Sequence, residues 1–134
     1  MGFKDISQIA GSAMAAQTVR MNTIASNLAN ANAVSSTEAD GYRARKPVFA
    51  AMLGDAGVAK VQVLDVVESS APLRRMHEPD NPLADADGMV FYANVNEVAE
   101  MADMMAASRA FETNVEVMGR IKSMQQSLIR MGES

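Results

Sequence analysis

Apolar side chains recur along the first part of the chain at alternating steps of about three and four. Met14, Met21, Ile24, Leu28 and Ala31 carry the pattern, Gln17 falls in it, and Ala10 and Ala13 extend it towards the start. This period predicts an amphipathic helix with a seam of the coiled-coil kind. Asp5, with Gln8 three residues on, has the spacing of a capping box at its start. A helix over 5–31 would be about 40 Å long at 1.5 Å rise per residue. A second stripe runs without a break through Met101, Met104, Ser108, Phe111, Val115 and Met118. It continues less regularly through Ile121, Met124, Leu128 and Met131 to a stop at Gly132. Asn94 and Glu97 have N-cap spacing, and Glu97 and Glu100 suit the positive end of a helix. Over 96–131 this helix would run about 54 Å.

Between the stripes the period changes. Residues 34–40 read as a loop. "YRARKPVFAAML" and "VAKVQVLDVVES" are short, Val-rich and partly alternating, and Gly54 and Gly57 separate them, which predicts a hairpin. "APLRRMHEPDNPLADADG" holds three of the four prolines and reads as a loop, and "MVFYANVN" offers a third strand. The expected fold is mainly α with a small β region. A coiled-coil helix over 1–33 and another over 96–134 flank a loop and hairpin or three-stranded patch over 34–95, all in one structural unit.

Helices this long have little between them to surround. Either they close on each other as a plain antiparallel pair that buries both stripes, or the stripes are shared with neighbouring molecules. Alanines at several faces of the first helix permit close approach of more than one helix.

The end of the first helix, "SNLANANAVSSTEADGYR", is costly, because Asn competes for backbone hydrogen bonds and is a poor interior residue. Asn27 lies beside the stripe, one residue before Leu28. A buried Asn at a helix seam lowers stability and fixes register. Asn30 and Asn32 are placed to satisfy the carbonyls and loop amides where the helix ends. Gly41 marks a turn that a side chain would obstruct. The costly ending reads as a specificity device.

Composition sharpens this picture. The 134 residues are 49% hydrophobic, with 12 Met, no Trp and six Phe and Tyr together. Flexible Met suits irregular or shared surfaces. The net charge of −4 argues against a nucleic-acid partner. Without Cys, a thiolate metal site or cysteine nucleophile is out of reach. No apolar run reaches the 18 residues that a membrane helix needs. "IAGSAMAAQ" imitates a signal-peptidase site but lacks a preceding apolar region, so no cleaved secretory signal is expected. His77, Glu78 and Asp80 sit together in a Pro-rich loop, a weak signal for acid–base or metal chemistry. "DADG" fails as a calcium loop, since Leu83 and Asn94 would stand where carboxylates are needed. Phosphate-loop, hydrolase and dinucleotide fingerprints are missing. No catalytic residue, metal ligand, cofactor or small-molecule substrate is expected.

"MNTIASNLANANAVSSTEADGYRARKPVF" resembles the N-terminal signature of the bacterial flagellar axial proteins, the rod, hook and hook-associated family. "YANVNEVAEMADMMAASRAFETNVEVMGRIKSMQQSLIRMG" is similar to their C-terminal signature, and the short middle points to the proximal rod group. The resemblance implies a structural subunit of the basal-body rod. Such subunits pair their terminal helices into the coiled-coil inner layer of a hollow helical shaft that transmits torque. It implies a place in the periplasmic rod and passage through the flagellar type III export apparatus without a cleaved signal. The implied partners are further copies, other rod proteins, the rod-base adaptor and membrane-ring components. Asn27, Ala29, Asn30, Gly41 and Tyr42 match the first signature. Asn94, Val95, Asn96, Met101, Arg109, Phe111 and Asn114 match the second. Phe111 departs from the usual Tyr, Pro-Asp-Asn-Pro stands where a His-Pro pair is common, and the loop before Gly41 is longer than in hook-type relatives. The expected assembly interface comprises Met14, Met21, Ile24, Asn27, Leu28, Asn30, Met101, Met104, Phe111, Asn114, Val115, Met118 and Leu128. Gly41, Tyr42, Asn94 and Asn96 are expected to shape turns. A soluble helical adaptor or export chaperone that binds one partner helix in a groove is the alternative function.

Overall fold

A computed structural model of the chain describes residues 2–54 and 57–133. Helix α1 spans Phe3–Ala29 and helix α2 spans Glu97–Glu133. Between them lie β1 (Val34–Ser35), β2 (Arg45–Leu53), β3 (Ala59–Glu68), β4 (Arg74–His77) and β5 (Met89–Tyr92). The fold is therefore two long helices with a small β region between them.

The helix boundaries correct the sequence reading at both starts. Helix α1 begins two residues earlier than Asp5. Gly2 is its N-cap, and Asp5 sits at the third helical position, where Oδ2 accepts the Gly2 N–H at 2.9 Å. Helix α2 is capped by Asn96, not Asn94. Asn96 Oδ1 accepts the Ala99 N–H at 3.1 Å, and its carbonyl accepts the Glu100 N–H at 2.9 Å.

The strands form two sheets. β2 and β3 make an antiparallel hairpin with an irregularity between Val48 and Phe49. Gly57 takes φ +74°, which only glycine adopts without strain, and Gly54 donates to the Val58 carbonyl at 2.9 Å. The third expected strand does form, but in a separate sheet of order β1-β5-β4. Strand β4 lies in the stretch read as loop, and β1 lies in the other. Two-residue and four-residue edge strands carry too little pattern to be seen locally, and their pairing with β5 supplies the hydrogen bonds.

Helices α1 and α2 pack antiparallel. Asn27 meets Glu100, and seven residues earlier in α1 Arg20 meets Asp103 at 3.7 Å. On α2 the covered residues step by four and three: Glu100, Met104, Ala107, Phe111, Asn114, Met118 and Ile121. On α1 the matching row is Ala10, Ala13, Gln17, Arg20, Ile24 and Asn27. Ala10, Ala13 and Ala107 are the small members of these rows, and the rest are larger apolar or polar side chains. A second row on α1, Ser12, Val19, Thr23 and Ser26, faces the hairpin. Ser12 Oγ accepts the Val61 N–H at 3.1 Å, and Val19, Thr23 and Ser26 border a groove with Val66. Thus α1 is covered on two sides.

Where the helices meet the sheets, Ala31, Ala44, Ala93 and Val95 form a small buried cluster with Tyr42 against it. Gly41 closes this junction. A Cβ there would overlap Leu73 Cδ1, and Leu73 is only 6% exposed. Glycine is required by close approach, since its φ is not in the left-handed region.

The 78–92 segment holds itself with carboxylates. The Tyr92 hydroxyl donates to Glu78 Oε1 at 2.7 Å, and Asn81 Nδ2 donates to Oε2 at 3.1 Å. Tyr92, then Asn81, hold the Glu78 carboxyl below its ordinary pKa against a smaller opposing desolvation. The same bond raises the Tyr92 phenol. The ionised carboxylate is favoured in the fold. Its contribution is therefore complete above the unfolded pKa, near about 4.3, and is lost as pH falls through the folded value. An NMR titration of the Glu78 carboxyl should give a midpoint below that of a peptide control, and Tyr92→Phe should return it upward. A midpoint unchanged by Tyr92→Phe would refute the assignment.

Candidate assembly interface

The amide of Asn27 organises the junction of α1, β2 and α2. Its residue is fully buried. Oδ1 accepts the Arg45 N–H at 2.9 Å and the Tyr42 hydroxyl at 2.8 Å. Nδ2 donates to the Arg45 carbonyl at 2.8 Å and to Glu100 Oε2 at 3.2 Å. Both donors and both acceptor sites of the amide are thereby used. The side chain pairs with both backbone groups of Arg45 as a neighbouring strand would. The Tyr42 hydroxyl also lies 3.0 Å from Ser26 Oγ, and the Arg45 guanidinium stands 5.5 Å from the Tyr42 ring centroid.

Glu100, 6% exposed, is a buried carboxylate in the first turn of α2. The positive end of the helix and the Asn27 N–H offset its desolvation. Sequence reading gave Glu100 only the helix-end role. Its place in the four–three phase with Met104 and Ala107 was the available signal. Asn27 itself lies in the seam rather than beside it.

A second asparagine ties the β region down. Asn94 Oδ1 accepts the Ala44 N–H at 2.6 Å, and Nδ2 donates to the Ala71 carbonyl at 2.8 Å. Arg74, which the sequence did not single out, donates to the carbonyls of Ala93 and Ala31 at 3.2 and 3.3 Å. Asn30 caps α1 by donating to the Ser26 carbonyl at 2.8 Å. Asn32 is exposed, and among the described residues it caps no carbonyl, contrary to expectation.

The remaining candidate residues divide by face. Ile24, Met104, Phe111, Asn114 and Met118 lie in the seam between the helices. Met14, Met21 and Leu28 stand one position to the side of the α1 seam and are half-buried. Met101 and Val115 stand in the same relation to the α2 seam and are 54% and 46% exposed. The hairpin occupies the opposite side, where Pro47 and Phe49 border a groove of about 200 Å³ with Arg20 and Asp103. The two displaced rows therefore meet on one flank of the helix pair, away from the hairpin. Each stripe read from the sequence is half seam and half flank. Leu128 lies beyond Ile121, the last buried residue of α2, and is 53% exposed.

His77 is exposed at the end of β4, and among the described residues no group of three His, Asp or Glu could hold a metal. No helix among them is long and apolar enough to cross a membrane.

Both ends of the chain match known families, at the segments that form the helix pair. Residues 8–35, with Asn27 and the α1 rows, match the family described as flagella basal body rod protein. Residues 86–131, with Asn94, Asn96 and the α2 rows, match the flagellar basal body rod FlgEFG protein C-terminal family. The similarity also extends through the middle. The chain is 45% identical to the flagellar basal-body rod protein FlgC of Escherichia coli O157:H7 over 134 residues, covering 99% of this chain and 100% of that one. With the FlgC protein of Salmonella typhimurium it is 45% identical over 135 residues, again 99% and 100%. With that of Agrobacterium fabrum it is 35% identical over 125 residues, covering 92% and 90%. Similarity at this level across helices, strands and loops alike places the chain in the FlgC family of flagellar basal-body rod proteins.

Proposed function

We propose that the chain is a subunit of the proximal rod, joined to its neighbours through the flank of its helix pair to build a hollow helical shaft that transmits torque. A flagellar rod protein is a structural component of the basal body and not an enzyme. The observation that carries the finer reading is the flank itself. Met101 and Val115 are exposed and Met14, Met21 and Leu28 half-buried beside them, an apolar side that the chain covers only in part, as surfaces awaiting a partner are. In this reading the two helices and the β region move as one assembling unit. Copies of the chain, other rod proteins, the rod-base adaptor and membrane-ring components are its neighbours. The subunit reaches the periplasmic rod through the flagellar type III export apparatus without a cleaved signal. A soluble adaptor or export chaperone, the competing reading, is not favoured by relatives named as rod proteins.

Leu28→Glu tests this. Leu28 is half-buried at the edge of the flank, so in the free subunit the longer glutamate side chain can reach water, and stability should change by about 1–2 kcal/mol. In the shaft it would be buried unpaired. The variant should be made and exported yet fail to join the basal body, leaving cells non-motile. Ser123→Glu, on an exposed face of α2, should swim. Normal incorporation of Leu28→Glu would refute the flank as the assembly surface.

A further inference from the structure

The β2–β3 hairpin is a sheet of two strands, so each strand has an outer edge. The two edges are treated differently. On β3 the Val61 N–H is taken by Ser12 Oγ at 3.1 Å and the Val66 N–H by Asp65 Oδ1 at 2.7 Å. Lys60, Asp65 and Glu68 add charges, which protect an edge against pairing. On β2 only the base is closed. There Asn27 takes the Arg45 N–H and carbonyl, and Pro47 has no N–H to offer. Past the irregularity between Val48 and Phe49, nothing among the described residues closes the β2 edge.

The direction of its backbone groups follows from the register. Val61 lies opposite Ala51 and turns its N–H away from β2, so the two are a non-hydrogen-bonded pair. The N–H and C=O of Ala51 therefore point outward, and by the period of two so do those of Phe49 and Leu53. Gly54, which donates inward to the Val58 carbonyl, fits this phase. Residues 48–53 read VFAAML, without charge, Pro or Gly. A segment of this kind pairs readily with another strand, and two strands are fewer than a self-sufficient sheet needs.

We propose that β2 of one copy pairs antiparallel with β2 of a second copy, joining two hairpins into one four-stranded sheet. Because β3 has a closed edge, β2 can meet only β2, and the contact is two-fold. The axis passes through Ala51, whose small side chain lets the strands meet, and Phe49 stands opposite Leu53 of the second copy. In this register Phe49, Ala51 and Leu53 each exchange both backbone hydrogen bonds with the residue opposite. Leu53 is 78% exposed, the most of the large apolar side chains described. Opposed residues share a face, so Leu53 of the second copy reaches the groove that Phe49 borders with Ile24 and Pro47. Its volume of about 200 Å³ accommodates a leucine side chain. A two-fold contact closes at two copies and cannot extend a shaft. It is a state of the free subunit, and it shields the open edge until the subunit is incorporated.

The chain has no Cys, so single-cysteine variants report the register directly. Opposed Cα atoms about 5.5 Å apart lie within the span of a disulfide. Oxidised Ala51→Cys should give a covalent dimer, whereas Gln62→Cys, exposed on β3, should stay monomeric. Analytical ultracentrifugation of the purified full-length chain should show a concentration-dependent dimer. Ala51→Lys sets two lysines against each other at the axis, and Ala51→Pro removes the outward N–H. Each should weaken association roughly tenfold or more. Circular dichroism of both should match wild type, since Ala51 is exposed and its N–H is not used within the hairpin. Leu28→Glu should dimerise as wild type does, because the flank takes no part. A wild-type chain monomeric at every concentration, no Ala51→Cys dimer, or equal cross-linking of Gln62→Cys would overturn the proposal. So would a dimer lost in Leu28→Glu and kept in Ala51→Lys, which would belong to the flank and leave the assembly reading standing.

Discussion

Asn27→Ala will destabilise the chain by about 3–5 kcal/mol, the largest loss expected from removing so few atoms. The substitution leaves a cavity. More importantly, it takes their Asn27 partner from the part-buried Arg45 N–H and carbonyl and from the buried Glu100 carboxylate. An unsatisfied buried polar group costs about 1–3 kcal/mol, and more when charged. Asn27→Asp should fare no better, because a second acceptor would face Glu100 Oε2 and the Arg45 carbonyl. Tyr42→Phe removes one donor and should cost about 1 kcal/mol. Urea unfolding of the three variants at pH 7 gives the ordering. An Asn27→Ala midpoint equal to wild type would mean that the amide does not hold the junction.

Ala107→Glu should separate the helices. Ala107 is fully buried at the centre of the α2 seam, between Met104 and Phe111. Glutamate brings a longer side chain and an unpaired charge, together worth about 4 kcal/mol or more. The expected result is loss of helical circular dichroism at room temperature, since long helices without tertiary packing fray. Met105→Glu, two residues earlier and 69% exposed, should retain the wild-type spectrum. A folded Ala107→Glu chain would show that the helices are held together elsewhere than at this seam. The two predictions differ in kind: Asn27 fastens the helix pair to the β region, and Ala107 fastens the helices to each other.

The helices, the hairpin and its glycines were legible because their signals are local. Periods of three and four, a Val-rich alternation and a Gly-bounded turn each occupy a few neighbouring residues. Asn27 was legible as an anomaly, a poor helix former beside an apolar row. Its partners were not, since Arg45 contributes only backbone and Glu100 lies 73 positions away. Strands β1 and β4 lie in segments of loop-like composition, because two and four residues carry no period of their own. The N-cap of α2 is ambiguous locally because Asn94 and Asn96 both have capping chemistry. Only packing decides that Asn94 turns towards Ala44 and Ala71.

The seam itself shows where the boundary between sequence and structure lies. Large apolar residues define rows that include Met14, Met21 and Leu28 on α1 and Met101 and Val115 on α2. The period by itself determines that both ends are helical and that each has an apolar side. It does not determine which of two overlapping faces the chain buries. Tertiary structure selects the row with the small and polar members, Ala10, Ala13, Gln17, Asn27 and Ala107. Close helix approach favours small side chains, the hairpin already covers the next face of α1, and Asn27 finds its hydrogen bonds only in that register. Met101 and Val115 are thereby left exposed, with Met14, Met21 and Leu28 half-buried beside them on the outer flank.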